Sequence, residues 1–271
     1  MQLLESQEFD PAWNLAAEEY LLKQTDSSVC FIYRNRPSVI LGRNQHLLSE
    51  VDPAYLQAHA IGLYRRISGG GAVYHDPGNL NIAFIENGHS IQFYRHRERI
   101  CKALQQMGIA AEPGPRSDIL LQGKKISGNA ATVSRNRVMH HGTLLFAANL
   151  DALQQALIQH ALLINPSSSN RQIPTSPNPQ IATSPNRQIA TFPPPSSPNQ
   201  RKGVSSVPSP VVNIQELYPC FYTIDIFQEA FIQAIKQQFE GCQSVTLTSG
   251  EQEKIARLRD TKYASPEWIL V

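Results

Sequence analysis

Between Arg65 and Phe84 the chain reads RRISGGGAVYHDPGNLNIAF, which joins two arginines, three successive glycines and an alternating apolar stretch. Ser68, Gly69, Gly70, Gly71, Ala72, Val73 and Tyr74 form its centre. Three glycines leave no Cβ to hold a ligand off the backbone and can take positive φ, so successive N–H groups can converge on anionic oxygens. Arg65 and Arg66 arrive on the preceding strand and would add charge-assisted donors. A second stretch, GKKISGNA from Gly123, sets Lys124 and Lys125 side by side ahead of Ser127 and Gly128. If it is extended, alternation turns Lys125 and Ser127 to one face and Lys124 and Ile126 to the other, so one lysine reaches a site that its neighbour does not. Each group also has a plainer reading. A glycine run is equally a surface turn, a lysine is usually a solvated charge, and His141 ahead of Gly142 on a strand is more often a hydrogen-bonded wall residue than a base. Asn79 can simply organise the turn after Pro77-Gly78, and Asp118 is one carboxylate without a ligand cluster.

The elements that would carry these residues are legible in outline. Leu80 to Ile85 alternate as a strand, which makes the glycines a strand-to-strand turn. A Walker loop needs Lys and Ser/Thr after its last glycine and a helix beyond, and a dinucleotide fingerprint needs differently spaced glycines opening a helix; neither pattern is present. Asp10 and Pro11 read as the N-cap and first position of a helix to about Gln24. Phe31 to Arg34 and Val39 to Gly42 read as a pair of strands, followed by a helix near Pro53 to Ala60. After Ser90 a helix runs to Met107, stopped by Gly108, with Arg95, Arg97 and Arg99 as a solvated face. Asp118 to Leu121 and Val138 to Phe146 read as further strands. Asp225 is placed as the cap of a helix whose Phe227, Ala230, Phe231, Ala234 and Ile235 make one stripe, and Ser249 with Gln252 as the capping box of a last helix.

Residues 165 to 200 have a different composition. Three octads begin at Asn170, Asn178 and Asn186, and nine of the chain's 19 prolines fall here. That stretch offers too little apolar surface to offset chain entropy and reads as a disordered insertion. The net charge of +2 rests on Arg171, Arg187, Arg201 and Lys202, in this stretch and just after it, where no acid occurs. The remainder is slightly acidic, which argues against a nucleic-acid surface. No apolar run reaches the ~20 residues of a membrane span, the start MQLLESQEFD lacks a signal pattern, and the four cysteines form no CxxC pair. A cytoplasmic location and no membrane partner are expected.

FDPAWNLAAEEYLL, SVILGRNQHLLSEVD, the glycine stretch, RSDI with GKKISGNA, and HHGTLLF occur in an order that resembles the lipoate-protein ligase A family. The resemblance covers nearly the whole chain outside the insertion. It implies an α+β class II biotin/lipoyl ligase-like fold, a mixed sheet flanked by helices, as one catalytic domain over 1–271 with the insertion at about 167–200. It implies lipoate, ATP and Mg2+ as cofactors, a lipoyl-AMP intermediate, and transfer to a lysine of lipoyl domains in 2-oxoacid dehydrogenase complexes or of the glycine cleavage H protein. Lys125 would be the catalytic lysine bridging the acyl carbonyl and the α-phosphate. Arg66 with Gly71 to Tyr74 would serve the phosphate, while Ser68, Gly69, Gly70, Asn79, Ser127, Gly128, His141 and Gly142 would border the substrates. Asp118 would help hold the nucleotide or Mg2+. Ser167 and Ser117 stand where related octanoyltransferases place cysteines, which disfavours a thioester route. Pro208 and Pro210 stand where a ligase is expected to carry basic residues. No accessory domain follows Trp268, so a separate small partner would complete adenylation. Two other readings remain: an octanoyltransferase working from octanoyl acyl carrier protein, and a non-catalytic binder of the adenylate or acceptor domain.

Overall fold

The computed structural model describes residues 1–157 and 209–270. The insertion expected at about 167–200 lies outside them, as does Pro208. The centre is a six-stranded mixed sheet that includes β1 (Gln2–Glu5), β2 (Val29–Tyr33) and β6 (Asn79–Asn87). Its other strands are β10 (Asn129–Ser134), β11 (Arg137–Leu145) and β12 (Gln243–Val245), and the order is β10-β11-β6-β2-β1-β12. β1 runs parallel to both neighbours and the remaining pairs are antiparallel. A second sheet has the order β4-β3-β5, from β3 (Ser38–Leu41), β4 (Gly62–Arg65) and β5 (Val73–His75). A third joins β7 (Glu112–Pro113), β8 (Ile119–Leu121) and β9 (Lys124–Ser127).

Alternation along the strands sends side chains to opposite faces, and each face is covered by helices. Ile32, Ile82 and Phe84 pack under α4 (Phe93–Gln106) and a helix over Ile224–Lys236. Phe31, Ala83, Ile85 and Met139 pack on the other side under α1 (Pro11–Gln24) and a helix over Ser249–Leu258. Asp10 caps α1 by accepting from Ala12 N, and Pro11 opens it. α1 is buried almost all round, and its polar side chains there are hydrogen-bonded, as buried polar groups must be. Asn14 binds Asn35 and the carbonyls of Glu8 and Arg34, while Glu19 receives Lys23, Lys262 and Tyr263. Short helices α2 (Leu47–Glu50), α3 (Pro53–Ala58) and α5 (Leu150–Ala156) close the small sheet. Among the described residues no helix is long and apolar enough to cross a membrane.

Several local expectations are corrected. The two strands at 29–33 and 38–41 belong to different sheets, because each finds its hydrogen-bonding edge elsewhere. The helix at 224–236 is capped by Thr223, whose Oγ1 accepts from Ile226 N, while Asp225 pairs with Arg34 at 2.8 Å. The last capping box is Thr248 with Glu251, one residue earlier than expected, since Thr248 has the extended backbone that a cap requires. Only Arg95 of the three helix arginines is exposed. Arg99 makes a two-pronged pair with Glu86 over the faces of Phe84 and Phe239, and Arg97 donates to the carbonyls of Gly114 and Arg116.

Candidate active site

The glycines lie in the loop that carries the chain from β4 to β5, past the end of β3. Gly70 is the loop glycine with positive φ, +90°, and a Cβ on Gly42 at the end of β3 would sit 2.1 Å from its carbonyl oxygen. Arg66 is turned inward to this backbone. Its Nη2 donates to Gly69 O (2.7 Å) and Gly71 O (2.8 Å), its Nη1 to Ile40 O (3.1 Å), and its Nε to Ser68 Oγ (2.9 Å). Burial pulls its pKa down to about 10, with Glu18 opposing the fall, so the guanidinium stays charged at neutral pH. Arg66 thus first shapes the loop, of which Gly70, Gly71, Ala72 and Val73 line the cleft. Arg65 does not reach the cleft. It is fully buried and binds the carbonyls of Gly42, Gln45 and Ile269.

His141, on β11, continues this network. Its Nε2 lies 2.6 Å from Ser68 Oγ and its Nδ1 2.9 Å from both oxygens of Glu18, which also accepts from Tyr33 OH at 3.0 Å. With Nδ1–H donating to Glu18, Nε2 accepts the Ser68 hydroxyl, and Ser68 in turn accepts from Arg66. The distances are those of a serine–histidine–carboxylate set, yet Ser68 is buried outside the cavity lining and its oxygen is already engaged by a guanidinium. The set is therefore a clamp between α1, the sheet and the glycine loop. Gly142 lets β10 close on β11, since an added Cβ would lie 2.0 Å from Asn129 Oδ1.

Lys125 enters from the third sheet. Its Nζ lies 2.9 Å from Asp118 Oδ1, its N–H donates to Pro210 O, and Val212 N donates to its carbonyl. Lys124 is exposed and Lys125 is half-buried at the cavity, so the two lysines separate, but Ile126 is in the core and Ser127 is buried because a register shift between β8 and β9 breaks the regular alternation after Lys125. One cavity of about 240 Å³ is lined by Arg66, Gly70, Gly71, Ala72, Val73, Asp118, Lys125, Gly128, His141 and Gly142. Ser68, Gly69, Tyr74, Asn79 and Ser127 are outside its lining. Asn79 is fully buried and donates to Tyr74 O, which fits the turn role, and Ser127 accepts from Asn129 Nδ2. Asp118 is the cavity's one acidic side chain among the described residues and is held by Lys125; no group of three or more His, Cys, Asp or Glu is placed to ligate a metal there. These residues do not fit a protein-built magnesium site.

The cavity also gathers residues that pattern reading passed over: Leu15, Tyr33, His75, Asn81, Arg116, Asn129 and Thr143. His75 is fixed by a buried chain in which Asn14 donates to Asn35 and Asn35 Nδ2 to His75 Nδ1 at 2.9 Å. Both His75 and Asn81 line the cavity, and His75 Nε2 and Asn81 Oδ1 are buried without a protein partner. The visible signal was weak: HD before Pro-Gly reads as turn chemistry, and Asn81 stands where an alternating strand allows either face.

Three buried histidines, His75 at the cavity and the stacked His96 and His140 away from it, give the fold a pH signature. Burial lowers His75 to about 3, His96 to about 2 and His140 to about 4, with Arg66, His140 and His141, respectively, as the leading charged neighbours. His96 and His140 stack with ring centroids 3.8 Å apart. Each folded pKa lies below the unfolded value near 6.5, so the neutral rings stabilise the fold above about pH 6.5 and that contribution is lost as pH falls toward the folded values. Unfolding free energy is expected to drop from pH 6.5 toward pH 4 by up to about 1.4 kcal/mol per pH unit per histidine. Urea titrations across that range check it, and His96→Phe should shallow the slope by about one proton's worth. An unchanged slope in that variant would show that His96 is protonated alike in both states.

A family model described as the lipoyl protein ligase A/B catalytic domain matches residues 10–175. Lipoate–protein ligase 1 of Staphylococcus aureus is 37% identical over 264 residues, covering 96% of this chain and 70% of that protein. Lipoate-protein ligase LplJ of Bacillus subtilis is 44% identical over 153 residues, covering 55% of this chain and 46% of that protein, so the matched part is under half of that relative's length. Among solved structures, a bi-partite lipoate protein ligase with its E2 lipoyl domain from Thermoplasma acidophilum shares the fold at a TM-score of 0.74 and 24% identity, covering 99% of this chain and 95% of that one.

Proposed function

The chain belongs to the lipoyl protein ligase A/B catalytic domain family, and from that premise we propose that it joins lipoate to the lysine of a lipoyl domain through lipoyl-AMP. The observation that carries the reading is that Lys125, held by Asp118, shares one cavity with the glycine loop shaped by Arg66. In the first step a lipoate carboxylate oxygen attacks the α-phosphorus of ATP and the bond to pyrophosphate breaks. In the second the acceptor amine attacks the acyl carbon and the bond to the AMP oxygen breaks, with one proton lost from nitrogen. Charge grows on the α-phosphate oxygens in the first step and on the acyl oxygen in the second. The Lys125 ammonium is a donor for both, and the Gly70 to Val73 backbone adds fixed dipoles that need no reorganisation. Leu15, Tyr33, Ile40 and Val73 give the cavity an apolar part suited to an acyl chain.

The E2 lipoyl domain described with the Thermoplasma ligase motivates lipoyl domains as acceptors. The test is intact-protein mass spectrometry of an acceptor domain incubated with three donors. Lipoyl-AMP alone is expected to add one lipoyl group, whereas lipoate with ATP is expected to do so slowly or not at all unless a separate small partner is supplied. An octanoyl adduct from octanoyl carrier protein without ATP would move the assignment to the transferase reading.

A further inference from the structure

The segment between β7 and β8 is held by its backbone at several points while one side chain is left free. Arg97 Nη1 donates to Gly114 O at 2.6 Å and to Arg116 O. Gly114 N closes the turn onto Asp118 O at 2.9 Å. Asn129 Nδ2 donates to Ser117 O at 2.6 Å, and Ser117 Oγ donates to Asn129 O at 3.2 Å. Between these anchors Arg116 is exposed and borders the cavity beside Asp118 and Lys125. The other cations there are already matched: Lys125 by Asp118, and Arg66 by three carbonyls and Ser68. Among the described residues Arg116 is the cavity's cation whose guanidinium has no protein partner.

We infer that Arg116 receives the outer phosphates of the nucleoside triphosphate, with Arg97 as its positioning residue. The inference rests on the ligase reading above. When a carboxylate oxygen displaces pyrophosphate from the α-phosphorus, the electron pair of the broken P–O bond leaves with pyrophosphate, which must depart toward solvent. A nucleotide whose α-phosphate met Lys125 would have the exposed Arg116 of the same cavity within the surroundings of its β and γ oxygens. A guanidinium offers paired N–H donors to such oxygens, and an exposed one can release the product. The adenylate left behind carries a single phosphate charge and keeps its contacts with Lys125 and the glycine loop, so Arg116 acts on the first step and is spent before the second.

The test is calorimetric titration of ATP and of lipoyl-AMP into the wild-type chain, Arg116→Ala, Arg116→Lys, Arg97→Gln and the double variant R97Q/R116A. Arg116→Ala is expected to weaken ATP about tenfold, the loss of a charge-assisted contact, while lipoyl-AMP stays within about twofold. Arg116→Lys should recover part of the loss. Because Arg97 acts through Arg116, Arg97→Gln should weaken ATP less and add nothing in the double variant. The thermal midpoint of Arg116→Ala should match wild type, as only an exposed side chain is shortened. Unchanged ATP affinity in Arg116→Ala, or equal weakening of both ligands, overturns the assignment, and additive losses in the double variant overturn the part given to Arg97. A wild-type chain that binds neither ligand is a separate result, which overturns the ligase reading and this assignment with it.

Discussion

Lys125→Ala is expected to lower lipoyl transfer by about a hundredfold or more, the loss that follows when a preorganised donor is removed from a reacting centre. Lys124→Ala should change it little. The two lysines are adjacent in sequence, yet one ion-pairs with Asp118 at the cavity and the other stands in solvent. Rates of acceptor modification from supplied lipoyl-AMP, read by intact mass, compare them without involving ATP. Equal losses would refute the division of labour that strand alternation imposes. Lys125 keeps a quarter of its side-chain surface exposed. The alanine variant should therefore melt close to wild type, which separates a lost chemical role from a lost fold.

Arg66→Met is expected to fail differently. It removes a buried side chain that binds Ser68 and the carbonyls of Ile40, Gly69 and Gly71, and methionine can satisfy none of them. Stranding those acceptors should cost about 3 kcal/mol of unfolding free energy. The loop would lose its fixed shape as well, and misplacing donors by about 1 Å is enough to slow the chemistry about a hundredfold. Urea denaturation together with the transfer assay checks both effects. A variant as stable as wild type but inactive would return Arg66 to a direct role at the phosphate.

The parts of the site that were legible in the sequence are those governed by short-range rules. Asp10-Pro11 opens a helix because a cap and a fixed φ act within one turn, and Lys125 separates from Lys124 because alternation acts within one strand. The caps at 223 and 248 were misplaced by a residue or two because Thr-Ile-Asp and Thr-Ser each offer two candidate oxygens, and only the backbone dihedrals choose between them. β10 was missed since NAATVS has little apolar alternation; its place comes from pairing with β11, a tertiary contact. Glu18 and His75 carried no local sign of their importance. Each is defined by partners on other elements, Glu18 by Tyr33 and His141 and His75 by Asn35. Arg97 read as a solvated charge because its spacing with Arg95 and Arg99 says nothing of the carbonyls at Gly114 and Arg116 that meet it.

The fastening of Arg65 to the far end of the described chain sets the order in which the molecule can be finished. Arg65 Nε reaches Ile269 O at 3.0 Å across 204 positions of sequence, and Trp268 Nε1 returns to Arg65 O at 2.8 Å. β1, nearly the first segment made, waits for β12 at Gln243–Val245 to cover its outer edge. Contacts so distant along the chain are slow to form and come after the hairpins of the sheet centre. A nascent polypeptide that has emerged only as far as β11 can pair β6 with β11 and hold Arg65 through β3 and the carbonyls of Gly42 and Gln45, but it lacks the contacts with Trp268 and Ile269 that complete the fastening. The strand end from which the glycine loop departs is accordingly among the last parts of the molecule to be fully fastened.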